Sequence, residues 1–234
     1  MRLDKVTKRY GEKIALENLN LDIEEGKITA VLGESGAGKT TLLNVLAGLL
    51  PYEGTVDGAE GGAPVRRENC SYLFQTPKLL PNLTAEGNLK FVLPKEKWGE
   101  IPDMLARVGL DGRGKSYPSE LSGGEKQRVA IARAFLYPHQ VLLMDEPFTA
   151  LDLSLKKSLI DLFFELWSKS GETVVFVTHD VREAALLSHR AIVLRQGKVI
   201  FDAENPALFP RDFFSPPPIE NALIHVLTDI ENPT

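Results

Sequence analysis

The run Gly33-Glu34-Ser35-Gly36-Ala37-Gly38-Lys39-Thr40 constrains this chain more than any other stretch, because it meets the pattern G-x-x-x-x-G-K-[ST] at every fixed position. Glycines at these positions allow a tight turn whose backbone N–H groups converge on a phosphate chain. The helix that follows adds the positive end of its dipole. Glu34, Ser35 and Ala37 fill the variable positions of the cradle, and Thr41 closes it. In such a loop Lys39 reaches the β- and γ-phosphates, and the Thr40 hydroxyl takes one position on Mg²⁺. The motif works only between a strand and a helix. Ile28 to Leu32 reads as a buried strand running in, and Thr41 to Ala47 as a helix running out. Nucleotide binding follows, with Mg²⁺ expected beside the phosphates.

Bulk properties exclude several classes. A chain of 234 residues, 43% hydrophobic and 25% charged, buries a full core as one domain with a subsidiary lobe. Its net charge of −5, with no basic stripe, argues against a nucleic-acid partner. No apolar run reaches the roughly 18 residues of a membrane span. The start Met1-Arg2-Leu3-Asp4-Lys5 does not resemble a signal peptide, and Cys70 is the single cysteine. A reducing cytoplasm is therefore expected, with Cys70 a small core side chain.

Organisation along the chain points to an α/β fold. Residues 2–7 and 14–23 alternate as half-buried antiparallel strands do, and Asn69 to Phe74 reads as another strand. Gly58 to Pro64 is turn-rich. From about 76 to 136 the pattern is helical, punctuated by Pro81, Pro94, Pro102 and Pro118, as a lobe inserted between strands would be. Val141 to Asp145 and Thr173 to Thr178 are continuous apolar strands, the mark of a parallel sheet covered on both faces. Between them Ser154 to Lys169 reads as a helix with Ser154 as its N-cap. Gln196-Gly197 turns a closing hairpin, and a proline-rich tail from about 206 ends in an amphipathic stretch, Ile219 to Ile230.

Two further elements carry chemistry. Asp145 follows four apolar residues, which places a carboxylate at a strand's C-terminal end, where α/β sheets bind ligands and where it can orient Mg²⁺. Glu146 is adjacent, so its side chain points elsewhere, toward an attacking water. Leu121-Ser122-Gly123-Gly124-Glu125-Lys126-Gln127 places a hydroxyl and two glycines at a helix start, a second anion site. One chain with two phosphate sites is most simply explained by a dimer in which each copy supplies half of each site.

Taken together, these motifs resemble the nucleotide-binding domain of ABC transporters over about residues 2–205. The resemblance implies a P-loop NTPase fold with a mainly parallel core sheet, an N-terminal antiparallel β subdomain and an inserted helical lobe. It also implies that Tyr10 stacks on adenine and that Gln75 contacts Mg²⁺ and senses a membrane partner. Glu146 becomes the general base, Asp152 couples the two sites, and His179 contacts the γ-phosphate. Ser122, Gly123 and Gly124 close over ATP held by the opposite subunit. The other histidines, His139, His189 and His225, are expected to be structural. Glu125 stands where many members of the family carry glutamine.

Asp145 to Asp152 and Thr178 to Ala184 are similar to bacterial importer ATPases of the nitrate, sulfonate and taurine group. That likeness implies a homodimer, or a pair with a homologous ATPase, on the cytoplasmic face of the membrane. Its partners would be a separate permease and, indirectly, a substrate-binding protein. Leu79, Leu80 and Leu83 either meet the permease or fill the lobe's own core. Two other readings share the signature: ATPases of lipoprotein release, cell division or export, and soluble ATPases of DNA maintenance. The prolines between loop and signature disfavour the long coiled coils of the last group.

Overall fold

The computed structural model describes residues 1–57, 69–149 and 151–231. The turn-rich segment Gly58 to Pro64 and residue Ala150 therefore lie outside the described residues. Nine strands are described: β1 (Arg2–Tyr10), β2 (Lys13–Asp22), β3 (Ile28–Leu32), β4 (Glu53–Asp57), β5 (Cys70–Leu73), β6 (Val141–Asp145), β7 (Thr173–Val177), β8 (Arg190–Arg195) and β9 (Lys198–Glu204). The α-helices are α1 (Lys39–Leu46), α2 (Ala85–Lys90), α3 (Ile101–Arg107), α4 (Gly123–Leu136), α5 (Leu153–Ser170), α6 (Val181–Leu187) and α7 (Ile219–Glu231).

The fold is α/β. Its core is a six-stranded sheet in the order β5-β6-β7-β3-β8-β9, parallel except for β9, which returns antiparallel to β8. A three-stranded antiparallel sheet, β2-β1-β4, stands beside it. Every residue of β3 and β7 is buried, because both faces of the core sheet are covered. Side chains alternate between two apolar clusters. Ile28, Ala30, Leu32, Leu142, Met144, Val174 and Phe176 pack into one with α4, α5 and α6. Val31, Leu143, Val175, Val177, Ile192 and Leu194 pack into the other, against α1 and the antiparallel sheet. Each fully buried leucine or phenylalanine on these faces contributes about 2 kcal/mol.

Three of the prolines between Gln75 and Leu121 sit at helix starts, where they do no damage. Pro94 caps a 3-10 turn, Lys95–Glu100; Pro102 lies in the first turn of α3; Pro118 opens the 3-10 turn Pro118–Glu120. None of those positions requires a backbone N–H. Thr84 caps α2 by accepting from the Gly87 N–H at 3.1 Å, and buried Asn88 ties the loop ahead of it through Leu80, Leu83 and Thr84. Leu79 packs against the core.

Strand β1 runs three residues past the expected 2–7, and two helix starts differ from expectation. Helix α1 starts at Lys39, two residues early, with Gly38 as its cap at φ +107°. Helix α5 starts at Leu153, and its N-cap is Asp152, whose Oδ1 accepts from the Leu155 N–H at 3.0 Å; Ser154 lies inside the first turn. Aspartate wins because it comes first in the chain, adopts the extended backbone a cap needs, and adds a negative charge at the helix's positive end. The tail packs back onto the molecule, with Phe213, Ile219 and Leu223 buried, and Arg182 of α6 bonded to Glu220 of α7 at 3.1 Å. Among the described residues no helix is long and apolar enough to cross a membrane.

Candidate functional site

A cavity of about 550 Å³ opens at the C-terminal end of β3. Tyr10, Ser35, Gly36, Gly38, Lys39, Thr40, Thr41, Glu146 and His179 line it, together with Lys13 and Ala15. The loop that floors it accepts glycine and nothing larger at two points. A Cβ on Gly33 would lie 2.2 Å from the Leu194 carbonyl oxygen, and one on Gly38 would lie 2.4 Å from that of Ala15. Both residues also hold positive φ, as does Gly36.

Lys39 is the buried cation of this floor. Its Nζ donates to the Gly33 carbonyl at 2.7 Å and the Glu34 carbonyl at 2.9 Å, curled onto its own loop. Burial lowers its pKa, and the negative charges of Glu146 and Asp145 work in the opposite direction. A polyanion entering the loop gives the ammonium stronger acceptors than two carbonyls.

The carboxylates on either side of the β6 terminus face different partners, as their adjacency requires. Asp145 Oδ1 accepts from the Thr40 hydroxyl at 3.3 Å. Burial pushes its carboxyl above the usual range, Glu146 adds to this, and the Thr40 bond and Lys39 oppose it. A hydroxyl and a carboxylate beside a phosphate loop are the hard oxygen donors that Mg²⁺ takes when phosphates fill other positions. No cluster of three or more His, Cys, Asp or Glu that could hold a metal by themselves occurs among the described residues. The residues therefore fit a cation shared with a bound phosphate.

Glu146 stands at φ +46°, a left-handed conformation that costs a non-glycine residue about 1–3 kcal/mol. Its N–H donates to the Val177 carbonyl at 2.9 Å. Three side chains meet on its Oε2: Gln75 Nε2 at 3.1 Å, Thr149 Oγ1 at 3.0 Å and His179 Nδ1 at 3.3 Å. Its other oxygen has no bond among the described residues. A carboxylate oriented through one oxygen, with the other facing a cavity, can align a water and take its proton.

The loop that presents His179 is braced from both sides. Asp180 caps α6 by accepting from the N–H groups of Arg182 and Glu183. Lys156 of α5 bonds Asp180 Oδ2 at 2.5 Å and Glu183 Oε1 at 2.6 Å, and Thr178 donates to Glu183 Oε2 at 2.5 Å. Burial pushes the Glu183 carboxyl up despite Lys156 and Thr178. Removing the cation would strand two carboxylates, one of them only 2% exposed. Lys156→Met is thus expected to cost about 3 kcal/mol of unfolding free energy. Chemical denaturation at neutral pH measures it; a loss under about 1 kcal/mol would place Lys156 with ordinary surface pairs.

The cavity gathers most of the expected residues. Tyr10, Ser35, Gly36, Gly38, Lys39, Thr40, Thr41, Glu146 and His179 line it; Asp145 and Gln75 join it through Thr40 and Glu146. Gly33, Glu34 and Ala37 of the loop, and Ser122, Gly123, Gly124 and Asp152, do not line it. Ser122 and Gly123 are exposed at the start of α4, and Asp152 is exposed at the start of α5. Three residues escaped the sequence reading: Lys13, Ala15 and Thr149. Lys13 is brought in by the tight β1–β2 turn, which pairs it with Tyr10. Thr149 positions Glu146, a role that its spacing of three residues could have suggested. Of the remaining histidines, His139 bonds Glu172 and His189 accepts from the Ile28 N–H at 3.0 Å beside Trp167 and Phe209, whereas His225, also expected to be structural, is exposed on α7. Burial drives the His189 pKa down to about 4, and the Cys70 thiol up to about 11.

Known proteins place this geometry. The ABC transporter family model matches residues 16–149. The "Aliphatic sulfonates import ATP-binding protein SsuB" of Cupriavidus necator is 39% identical over 218 residues, covering 91% of this chain and 71% of that protein. "Aliphatic sulfonates import ATP-binding protein SsuB 2" of Rhodococcus jostii is 45% identical over 193 residues, covering 82% and 78%. Among solved structures, the dimeric post-hydrolysis state of the ATP-binding cassette MJ0796 bound to ADP and Pi superposes with a TM-score of 0.76 at 32% identity, covering 88% of this chain and 99% of that one. A phosphate loop, a strand-end Asp-Glu pair and a histidine around one cavity, in a chain this similar to those cassettes, have a single reading: the chain belongs to the ABC transporter family and is an ATP-binding ATPase of it.

Proposed function

We propose that this chain is the ATP-hydrolysing subunit of a bacterial importer for small anions of the aliphatic sulfonate type. It works as a dimer on the cytoplasmic face of the membrane, bound to a separate permease that a substrate-binding protein supplies. The whole chain forms one ATPase domain, with 76–136 as its helical lobe and 206–234 as a tail that caps it. The observation that carries the reading is the one-sided cavity: its lining contains no residue of Ser122–Gly124, although that segment has the make-up of a second phosphate site. Each copy then offers its Ser122–Gly124 helix end to the nucleotide in the other copy's loop, and Asp152 passes between the two sites. The importer assignment leans on the relatives' names and on the similarity of the Asp145–Asp152 and Thr178–Ala184 segments.

Within the site, Tyr10 stacks on the base, and the backbone of Gly33 to Thr41 holds the phosphates. Lys39 leaves the Gly33 and Glu34 carbonyls to bind the β- and γ-phosphates. Thr40 and Asp145 hold Mg²⁺, with Gln75 completing its surroundings. When bound, Mg²⁺ neutralises charge developing on the phosphate oxygens. Glu146 aligns the attacking water and takes its proton, and His179 donates toward the γ-phosphate. Positioning and charge neutralisation supply most of the rate.

Ser122→Arg tests the shared site. The bulky cation is expected to abolish the ATP-induced dimer in sedimentation while leaving ATP affinity of the monomer within about twofold. Specific hydrolysis of the unaltered protein is expected to rise with its concentration at fixed ATP. A dimer that survives Ser122→Arg, or a rate independent of dilution, would sink the reading.

A further inference from the structure

The signature helix α4 begins with a charge that is adverse to its proposed ligand. Glu125 forms a reciprocal capping box: its Oε2 accepts from the Ser122 N–H at 2.8 Å, and its own N–H donates to Ser122 Oγ at 3.2 Å. The bonds from Ser122, backbone first, hold its carboxyl below the ordinary range, and Arg113 adds to them, so it is ionised at neutral pH. A full negative charge therefore sits in the first turn of the helix that is to meet a triphosphate. The other carboxylate oxygen is engaged by Arg113, whose Nε donates to Oε1 at 3.0 Å. The same guanidinium donates through Nη2 to the Glu120 carbonyl at 3.0 Å, which locks it against the turn preceding the signature. Lys126, next along the helix, is common to every variant considered below.

We propose that Arg113 is a positioning residue of the shared ATP site: by neutralising and orienting Glu125 it leaves the start of α4 able to receive the γ-phosphate of the opposite subunit. This rests on the shared-site reading above. The physical content is Coulombic. A free carboxylate within one helical turn of a phosphate opposes closure of the pair, and the opposition grows as water leaves the interface. Arginine suits the task because its fork can hold the carboxylate and the Glu120 carbonyl at once. A glutamine at 125 could accept the same Ser122 N–H without the charge, and would make Arg113 dispensable.

That last point supplies the test. In a Glu146→Gln background, ATP-driven dimerisation is followed by sedimentation at low salt. Arg113→Ala is expected to raise the ATP concentration for half-dimerisation about tenfold, the size of effect one unit charge has in a partly desolvated interface. Adding Glu125→Gln to Arg113→Ala is expected to restore the parent value, and raising the salt is expected to shrink the Arg113→Ala defect. ATP affinity of the monomer and the thermal midpoint are measured on each variant, so a folding defect is seen directly. A double variant as weak as Arg113→Ala alone would show that Arg113 only braces the loop, and an Arg113→Ala protein that dimerises like its parent would overturn the proposal outright. If the parent fails to dimerise with ATP at all, the shared-site reading falls and takes the proposal with it.

Discussion

Glu146→Gln is expected to bind Mg-ATP, hydrolyse it about 10²- to 10⁴-fold more slowly, and accumulate as an ATP-bound dimer; that range is what removal of a general base costs. The substitution preserves shape, so the left-handed backbone at φ +46° and the bond from Thr149 can persist. What disappears is the negative charge that three side chains orient through one oxygen. A neutral amide cannot take a proton from water. Single-turnover hydrolysis gives the rate and sedimentation gives the dimer. Turnover within about tenfold of the unaltered protein would move the base elsewhere in the site.

Lys39→Ala is expected to remove tight ATP binding, with affinity falling about 100-fold or more, since hydrogen bonds to charged groups are each worth about 1.5–3 kcal/mol and the proposed role gives Lys39 more than one to the phosphates. The fold should tolerate the change. Alanine is a good helix former at the first position of α1, and of the two carbonyls that lose a donor, that of Glu34 belongs to an exposed residue and that of Gly33 to a buried one. Titration with a fluorescent ATP analogue measures the loss, and circular dichroism checks the fold. Unchanged affinity would mean that the loop backbone alone holds the triphosphate.

Much of the architecture was legible in the chain itself. Residues 28–32, 141–145 and 173–177 are short and mostly apolar, the pattern of strands in a sheet covered on both faces, and each is a strand there. The phosphate loop could be read because its glycines answer to a local requirement, positive φ; the space that also demands them at Gly33 and Gly38 is set by the distant Leu194 and Ala15 carbonyls. Caps were harder, since Asp152 and Ser154 are both residue types able to begin a helix and their identity alone does not choose between them.

Other features were decided by the three-dimensional structure. Gln75, the Glu146–Thr149 turn and His179 come from three separate segments, after β5, β6 and β7, and the meeting of Gln75 and His179 on the Glu146 oxygen depends on the strand order β5-β6-β7, which no residue spacing encodes. Lys13 enters the cavity because a hairpin pairs it with Tyr10, and Lys156 braces the histidine loop because α5 packs beside α6. Which chemistry the chain carries is written in local patterns, because turns and strands obey short-range sterics and burial. Which side chains share that chemistry is settled by packing, because contacts between distant segments form only when the whole core closes.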